Sequence, residues 1–169
     1  AIEIQNFDGE TIDKVPTASP DDPKRRLLLG DYVGTLSSVV VKSRVFDIIR
    51  PLKRDLPSWH DWEFYLRVAD EYDLRAVDDH LTVKRSGKDD QISRNLEPLL
   101  EITYPFFESK IRRDAAAYGA MFKRRALARL RMEVGDAALV NRSPRIAQVY
   151  LSSGLAAYPF ESKLVAYFV

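Results

Sequence analysis

The sequence contains no cysteine in its 169 residues. This absence excludes disulfide bonds, zinc sites built on thiolates and cysteine nucleophiles. It fits a cytosolic protein, in which thiols are kept reduced. No stretch approaches the roughly 18 consecutive apolar residues that a membrane-spanning helix needs. The first residues carry acids where a signal peptide would carry bases. The sequence therefore predicts a cytoplasmic protein without a membrane-spanning helix.

The chain also lacks an excess of charge of either sign. It has 26 Lys and Arg residues against 25 Asp and Glu residues, a formal net charge of +1. This balance gives no global attraction to nucleic acid or to anionic lipid, so we expect no nucleic-acid partner and only local electrostatic preferences. The 46% apolar and 30% charged contents are those of a globular protein rather than a disordered one.

The two ends predict that the chain is a fragment of a longer protein. It starts at Ala1 rather than at Met, already in strand-like alternation, and it stops inside the apolar run 164–169. An apolar run at the end of a chain needs something to cover it.

Strand and short-helix signals dominate the first part of the chain. Residues 2–5 alternate and are followed by turn residues, which favours a hairpin. Asp22 and Pro23 open a short helix that Gly30 ends, and Ser43 opens a second one that Pro51 stops. Three further strands are predicted, a buried one at 38–42 and two more at 74–77 and 81–85.

Helical patterns dominate the rest of the chain. The clearest helix runs from Asp61 to Tyr72, with one apolar face that includes Trp62, Tyr65 and Leu66. From about residue 95 onward only helices are indicated, at 98–110, 111–134, 144–153 and 159–169. The change of composition near Arg94 predicts a first domain of residues 1–94 and a helical C-terminal region of residues 95–169.

Several consecutive motifs bear a family resemblance. They are Gly34-Thr35-Leu36-Ser37-Ser38-Val39-Val40-Val41-Lys42, then Leu56-Pro57-Ser58-Trp59-His60-Asp61-Trp62-Glu63-Phe64-Tyr65-Leu66-Arg67-Val68-Ala69, then Val77-Asp78, Leu81 and Asp90-Gln91-Ile92-Ser93. This order resembles the second half of the catalytic domain of family 2 glycosyltransferases. The resemblance covers about residues 30–94 and implies an α/β fold. Residues 1–94 would be the second half of a GT-A (Rossmann-like) domain, followed by the α-helical C-terminal region.

The resemblance implies a catalytic role for Asp61. In that family the Asp that opens the helix is the base that deprotonates the acceptor hydroxyl, and an inverting transfer needs a carboxylate facing that hydroxyl. A helix N-terminus also holds such a carboxylate in place, so a plain N-cap is the alternative function for Asp61. His60 departs from the family pattern, which has Glu or Gln at this position.

The resemblance also implies a pocket for the acceptor and the donor sugar. Its candidate residues are Gly34, Thr35, Ser37, Ser38, Trp59 and His60. Small residues let the backbone approach a sugar and offer hydroxyls, although the same residues suit a tight loop. Arg85, Lys88 and Gln91 are the candidate contacts to a diphosphate or to the acceptor. Trp62 is a candidate for either sugar stacking or the core.

No metal site is expected within these residues. The family's Asp-x-Asp motif, which would hold a divalent metal, Mg or Mn, is absent from the sequence and is expected upstream. Asp78-Asp79-His80 has metal-ligand chemistry, but adjacent carboxylates at a turn point apart, and Asp is common in turns.

Eight basic residues fall in the segment 110–131, interleaved with apolar ones: Lys110, Arg112, Arg113, Lys123, Arg124, Arg125, Arg129 and Arg131. Such a helix is able to lie on an anionic membrane surface. It is equally typical of a solvated helix packed against its own domain, and RNA binding lacks a supporting motif.

Together these features predict an inverting glycosyltransferase that uses a nucleotide-sugar donor and a glycan or lipid-linked acceptor. The enzyme would be cytoplasmic, or peripheral at the inner face of the membrane, and the fragment alone would be inactive. The alternative is a non-catalytic helical adaptor that binds a membrane or a protein partner through residues 110–131.

Overall fold

The computed structural model describes residues 1–6, 8–15, 18–50, 52–85 and 95–167. The chain forms two compact units that alternate along the sequence. Unit 1 comprises Ala1–Leu27, Asp31–Lys53 and His60–Asp90. Unit 2 comprises Leu28–Gly30, Arg54–Trp59 and Gln91–Val169. The domain boundary predicted near Arg94 lies outside the described residues and stays a prediction.

Unit 1 contains a three-stranded sheet. Strand β1 (Ile2–Gln5) lies in the middle, with β2 (Thr11–Val15) antiparallel on one side and β3 (Thr82–Arg85) parallel on the other. The predicted hairpin is thus confirmed. Its turn is held by the Asn6 side chain, whose Oδ1 accepts a hydrogen bond from the Glu10 amide at 2.8 Å. Local turn chemistry therefore sets the pairing of the first two strands.

Two helices of unit 1 also agree with the sequence patterns. Helix α1 (Pro23–Leu27) is opened by Asp22, whose Oδ1 accepts the Arg25 amide at 2.8 Å. Helix α2 (His60–Glu71) buries its apolar face. The indole Nε1 of Trp62 donates to the carbonyl oxygen of Leu27 at 2.8 Å, which ties the two helices together. Trp62 is therefore a core residue.

The buried strand predicted at 38–42 is wrong. Leu36–Ser38 forms a 3-10 turn, and Val40 is 99% exposed. The turn has its own local hydrogen bonds, since Thr35 Oγ1 accepts the Ser37 amide at 3.4 Å and Ser38 Oγ donates to the Thr35 carbonyl at 2.7 Å. Such side-chain hydrogen bonds compete with a strand ladder, and a β-branched run forms a strand only where a partner strand is available.

Two smaller expectations in unit 1 also change. Residues 74–77, predicted as a strand, are irregular. The helix predicted after Ser43 is a 3-10 helix, Ser43–Asp47, that buries only Val45. Short segments of this kind have too few residues for their intrinsic propensity to outweigh their surroundings.

Unit 2 is helical. Its elements are α3 (Leu96–Pro98), a π-helical turn (Leu99–Thr103), α4 (Tyr104–Asp114), a 3-10 turn (Ala115–Tyr118), α5 (Ala120–Val140), α6 (Pro144–Ala157) and α7 (Ser162–Val165). The helix predicted at 111–134 is interrupted at Gly119, which adopts a φ of 91° that favours glycine.

The centre of unit 2 is the contact between α5 and α6. Its buried cluster includes Ala128, Met132, Ala138, Ala147 and Leu151. These side chains recur at helical spacing on both helices, which explains why their periodicity predicted helices here, although α5 starts and ends later than the predicted 111–134. Overall the protein is a mixed α/β protein. Among the described residues, no helix is both long enough and apolar enough to cross a membrane.

Candidate functional site

Asp61 lies in the first turn of α2 and is partly buried. Its Oδ1 accepts the amide hydrogen of Trp62 at 2.9 Å. Among the described residues the Asp61 carboxylate forms no ion pair and no other hydrogen bond. The side chain therefore satisfies one amide of the first helical turn and keeps capacity to accept a proton or a further hydrogen bond.

Tyr65 connects this helix to the small-residue segment. It lies one helical turn after Asp61, is only 1% exposed, and its hydroxyl donates to the Gly34 carbonyl oxygen at 3.3 Å. Burial raises the pKa of Tyr65 well above its usual value, and the negative charges of Asp31 and Asp61 raise it further. The charge of Asp61 thus acts on a hydroxyl that is bonded to the Gly34 backbone.

Gly34 allows this close arrangement. Its φ is 87°, and a Cβ atom placed there would lie 3.0 Å from Cδ1 of Ile2. A side chain would therefore be strained in its backbone and crowded against β1. The neighbour that requires a small residue at Gly34 is the Ile2 side chain, and the close approach of the backbone to a sugar stays a prediction.

A cavity of about 340 Å³ lies beside these residues within unit 1. Its described lining comes from the start of β1, from residues 15 and 18, from the loop of residues 32–40, from α2 and from residues 73–82. Ser38 and Tyr65 are in this lining, and Asp61 is not. The structure therefore brings Ser38 of the predicted pocket into a cavity, with Asp61 one helical turn before the cavity residue Tyr65.

The remaining predicted pocket residues are distributed differently. Thr35 caps the 3-10 turn and Ser37 is exposed. His60 is the first residue of α2 and is partly buried. Trp59 belongs to unit 2, where its ring meets that of Phe107 edge-on at 5.4 Å. For a bulky residue Trp59 has an unusual φ of 57°.

Of the three predicted contacts to a diphosphate or to the acceptor, the structure describes only one. Arg85 ends β3 and is exposed, whereas Lys88 and Gln91 lie outside the described residues. Asp78, Asp79 and His80 are all exposed in an irregular segment. In the part of the chain that the structure describes, no group of three or more His, Asp or Glu side chains is placed to hold a metal ion.

Sequence reasoning missed the two tyrosines of the cavity as polar groups. Tyr65 falls on the apolar stripe of α2, so its periodicity indicated core packing alone. Tyr32 follows Asp31 in a loop and carries no periodic signal. Only the fold places both rings in the lining of the same cavity.

The basic segment has many contacts within unit 2. They are Lys110 with Asp114 at 3.0 Å, Arg112 with Glu108 at 2.8 Å, Arg125 with Glu161 at 2.8 Å, Arg124 with the Ala157 carbonyl at 2.9 Å, Arg129 with the Leu29 carbonyl at 3.0 Å and Arg131 with the Ser153 carbonyl at 3.1 Å. Much of the positive charge of the segment is therefore engaged by acidic side chains and carbonyl oxygens of unit 2. Binding to an anionic membrane surface stays a prediction.

Comparisons of the chain with protein-family models, with curated proteins and with solved structures found no match.

Proposed function

We propose that this chain contributes the acceptor side of a nucleotide-sugar-dependent glycosyltransferase, with Asp61 as the general base. The observation that supports the proposal is the Asp61 carboxylate, which is held in the first turn of α2 and has no ion-pair partner among the described residues. A base in an inverting transfer needs a fixed carboxylate with a free lone pair directed at the acceptor hydroxyl.

The proposed reaction balances without a redox step. The acceptor oxygen attacks the anomeric carbon as Asp61 takes its proton, and the nucleoside diphosphate leaves from the opposite face. The GT-A fold, the nucleotide-sugar donor, the divalent metal and the glycan or lipid-linked acceptor all belong to this proposal. The Asp-x-Asp motif that would hold the metal is not in this sequence. The test therefore uses the product of the complete reading frame that encodes the chain.

The decisive variant is Asp61→Asn. The side-chain oxygen of asparagine is able to accept the Trp62 amide as aspartate does, but asparagine does not take up the acceptor proton. We expect the rate of sugar transfer from a panel of nucleotide-sugars to fall about 10²–10⁴-fold. Release of nucleoside diphosphate measures this rate. Thermal stability and nucleotide binding should stay near wild type.

The matched control is Glu71→Gln, which neutralises an exposed carboxylate in the last turn of the same helix. It should retain full transfer activity. If Asp61→Asn transfers sugar as fast as Glu71→Gln, the carboxylate is only a cap and the proposal fails.

A further inference from the structure

The helical unit 2 exposes apolar side chains at the end where α5 begins. Met121, in the first turn of α5, is 60% exposed. The turn before it is exposed as well, at Ala116, Ala117, Gly119 and Ala120. Because the chain turns at Gly119, residues 110–131 do not form one straight helix that would lie along a membrane over its whole length.

A second apolar side chain, that of Phe160, lies at the same end. Arg125 Nε donates to Glu161 Oε2 at 2.8 Å. Because Arg125 follows Met121 by one helical turn, Met121 is on the side of α5 that faces Glu161. Phe160, which precedes Glu161, is 78% exposed. We call residues 112–125 and 157–161 the tip of unit 2.

The exposed charge of the tip is positive. Its acidic residues are Asp114 and Glu161, which are largely buried, and each of them is already paired with two cations. Four of its five basic residues are exposed and Lys123 is partly exposed: Arg112, Arg113, Lys123, Arg124 and Arg125. The tip therefore presents apolar side chains bordered by cations, with its carboxylates turned inward.

We propose that the tip docks on an anionic membrane surface, with Met121 and Phe160 inserted among the headgroups and the basic residues against lipid phosphates. Apolar side chains bordered by Lys and Arg are typical of surfaces that bind such membranes. A bilayer receives protruding side chains without a matching pocket, and its negative potential attracts the tip. A nucleic acid would attract the same cations but leave the apolar side chains in water. This docking does not depend on the chemistry proposed for Asp61.

Vesicle flotation tests the docking. The chain is mixed with vesicles of phosphatidylcholine alone, or of phosphatidylcholine and phosphatidylglycerol in equal amounts, and we expect binding only to the anionic vesicles. Each cation near such a surface raises the partition coefficient about fivefold, so Arg113→Gln/Lys123→Gln should weaken binding about 25-fold. Met121→Ser/Phe160→Ser should weaken it at least about tenfold, because apolar contact with the bilayer is lost.

The other end of α5 supplies matched controls, because it lies about 30 Å from Met121 along the helix. Val140 is 61% exposed at that end, and Arg145 is exposed in the first turn of α6. Val140→Ser and Arg145→Gln should bind the anionic vesicles as wild type does. All these variants should melt close to the wild-type temperature, which confirms that they share its fold.

A fluorescent label shows whether the tip enters the bilayer. The chain has no cysteine, so Met121→Cys or Val140→Cys provides a single site for an environment-sensitive fluorophore. On anionic vesicles, emission from position 121 should shift to shorter wavelength, and emission from position 140 should not. The proposal is overturned if the chain does not float with anionic vesicles or floats equally with neutral ones. It is also overturned if Met121→Ser/Phe160→Ser binds like Val140→Ser, or if the label at position 121 stays in water.

Discussion

At the scale of single residues, the stretch 56–69 contains both the proposed base Asp61 and an ion pair that stabilises the fold. Glu63 is only 2% exposed, and Arg67 Nε lies 2.9 and 3.0 Å from its two carboxylate oxygens. Arg67 Nη1 also donates to the Arg50 carbonyl at 2.6 Å. Glu63 and Arg67 therefore connect α2 to the segment that ends at Arg50. Among the Asp, Glu and Arg residues of this stretch, Asp61 alone has no ion-pair partner among the described residues.

A substitution of Arg67 measures how much stability is lost when the buried Glu63 carboxylate has no cation beside it. We expect Arg67→Met to lower the free energy of unfolding by about 3 kcal/mol, because a buried carboxylate is left unpaired. This value is at the low end for such pairs, since the Arg67 side chain is 22% exposed. Urea denaturation measures it. Glu63→Gln/Arg67→Met should recover part of the loss, and Arg75→Met, which removes an exposed pair, should cost at most about 1 kcal/mol. Equal costs for Arg67→Met and Arg75→Met would contradict this role.

Glu133 makes stability depend on pH. Burial raises the pKa of its carboxyl above the usual 4.5, and Asp136 raises it further, while Arg129 and Lys163 oppose them. The folded state therefore holds this proton to a higher pH than the unfolded chain does. Stability is lost as the pH rises from about 4.5 through the raised pKa. We expect Glu133→Gln to stabilise the protein at pH 7.5 and to have little effect at pH 4, as measured by thermal melting.

Asp114 provides a control for which the effect of pH on stability has the opposite sign. Burial acts to raise the pKa of its carboxyl, but hydrogen bonds and charges from Lys110 and then Arg113 outweigh burial and lower it. Its contribution to stability is present above the usual value of 3.8 and is lost as the pH falls through the lowered pKa. Asp114→Asn should therefore destabilise the protein at pH 7.5. The same sign of effect for both variants at pH 7.5 would show that burial and pairing do not govern these carboxyls.

At the scale of elements, α2, the hairpin at Asn6 and the short helix opened by Asp22 were predictable, whereas the run 38–42 was not. The twelve residues of α2 and the core of α5 and α6 repeat apolar side chains at helical spacing, so each segment specifies its own buried face. The run 38–42 has strand propensity, but its outcome depends on whether a partner strand reaches it, and Thr35 offers local hydrogen bonds instead. The cavity was unpredictable for a similar reason, because its lining comes from segments distant in sequence, such as residues 1–2, 32–40 and 73–82.

The contact between α5 and α6 depends on Gly135. A Cβ atom at this position would lie 2.6 Å from Cγ and Cδ2 of Leu151, which is buried. Alanine normally stabilises a helix relative to glycine by about 1 kcal/mol. Here we expect Gly135→Ala to destabilise the protein by roughly 1–3 kcal/mol through overpacking. Urea denaturation measures the change.

A double variant separates this clash from other effects of the substitution. Leu151→Ala alone opens a cavity in the cluster, and in Gly135→Ala/Leu151→Ala the added methyl occupies part of that space. The double variant should be less destabilised than the sum of the two single variants. Simple additivity would show that Gly135 and Leu151 do not constrain each other.

At the scale of the whole molecule, the helical unit is not a continuous piece of the chain. It includes Leu28–Gly30 and Arg54–Trp59, which precede most of its residues in sequence. The first segment accepts a hydrogen bond from Arg129 Nε at the Leu29 carbonyl. The second places Ser58 Oγ 3.1 Å from Thr103 Oγ1, both in buried side chains. Composition near residue 94 indicated where helices take over, but it gave no sign of these earlier segments, because their packing partners lie far along the chain.

A cut at residue 94 should therefore leave the helical region incomplete. Residues 95–169 alone lack the Leu29 carbonyl bonded by Arg129, the Ser58 hydroxyl beside Thr103 and the buried side chains of Leu28 and Leu56. Leaving a buried hydroxyl such as that of Thr103 unpaired costs about 1–3 kcal/mol. We expect the isolated piece to melt at a lower temperature than the helices of the intact chain, as followed by circular dichroism at 222 nm. In the intact chain, Ser58→Ala should reproduce part of this loss, and Ser37→Ala, at an exposed position of unit 1, should not. A piece that melts at the same temperature as the intact chain would show that the earlier segments add nothing to the helical unit.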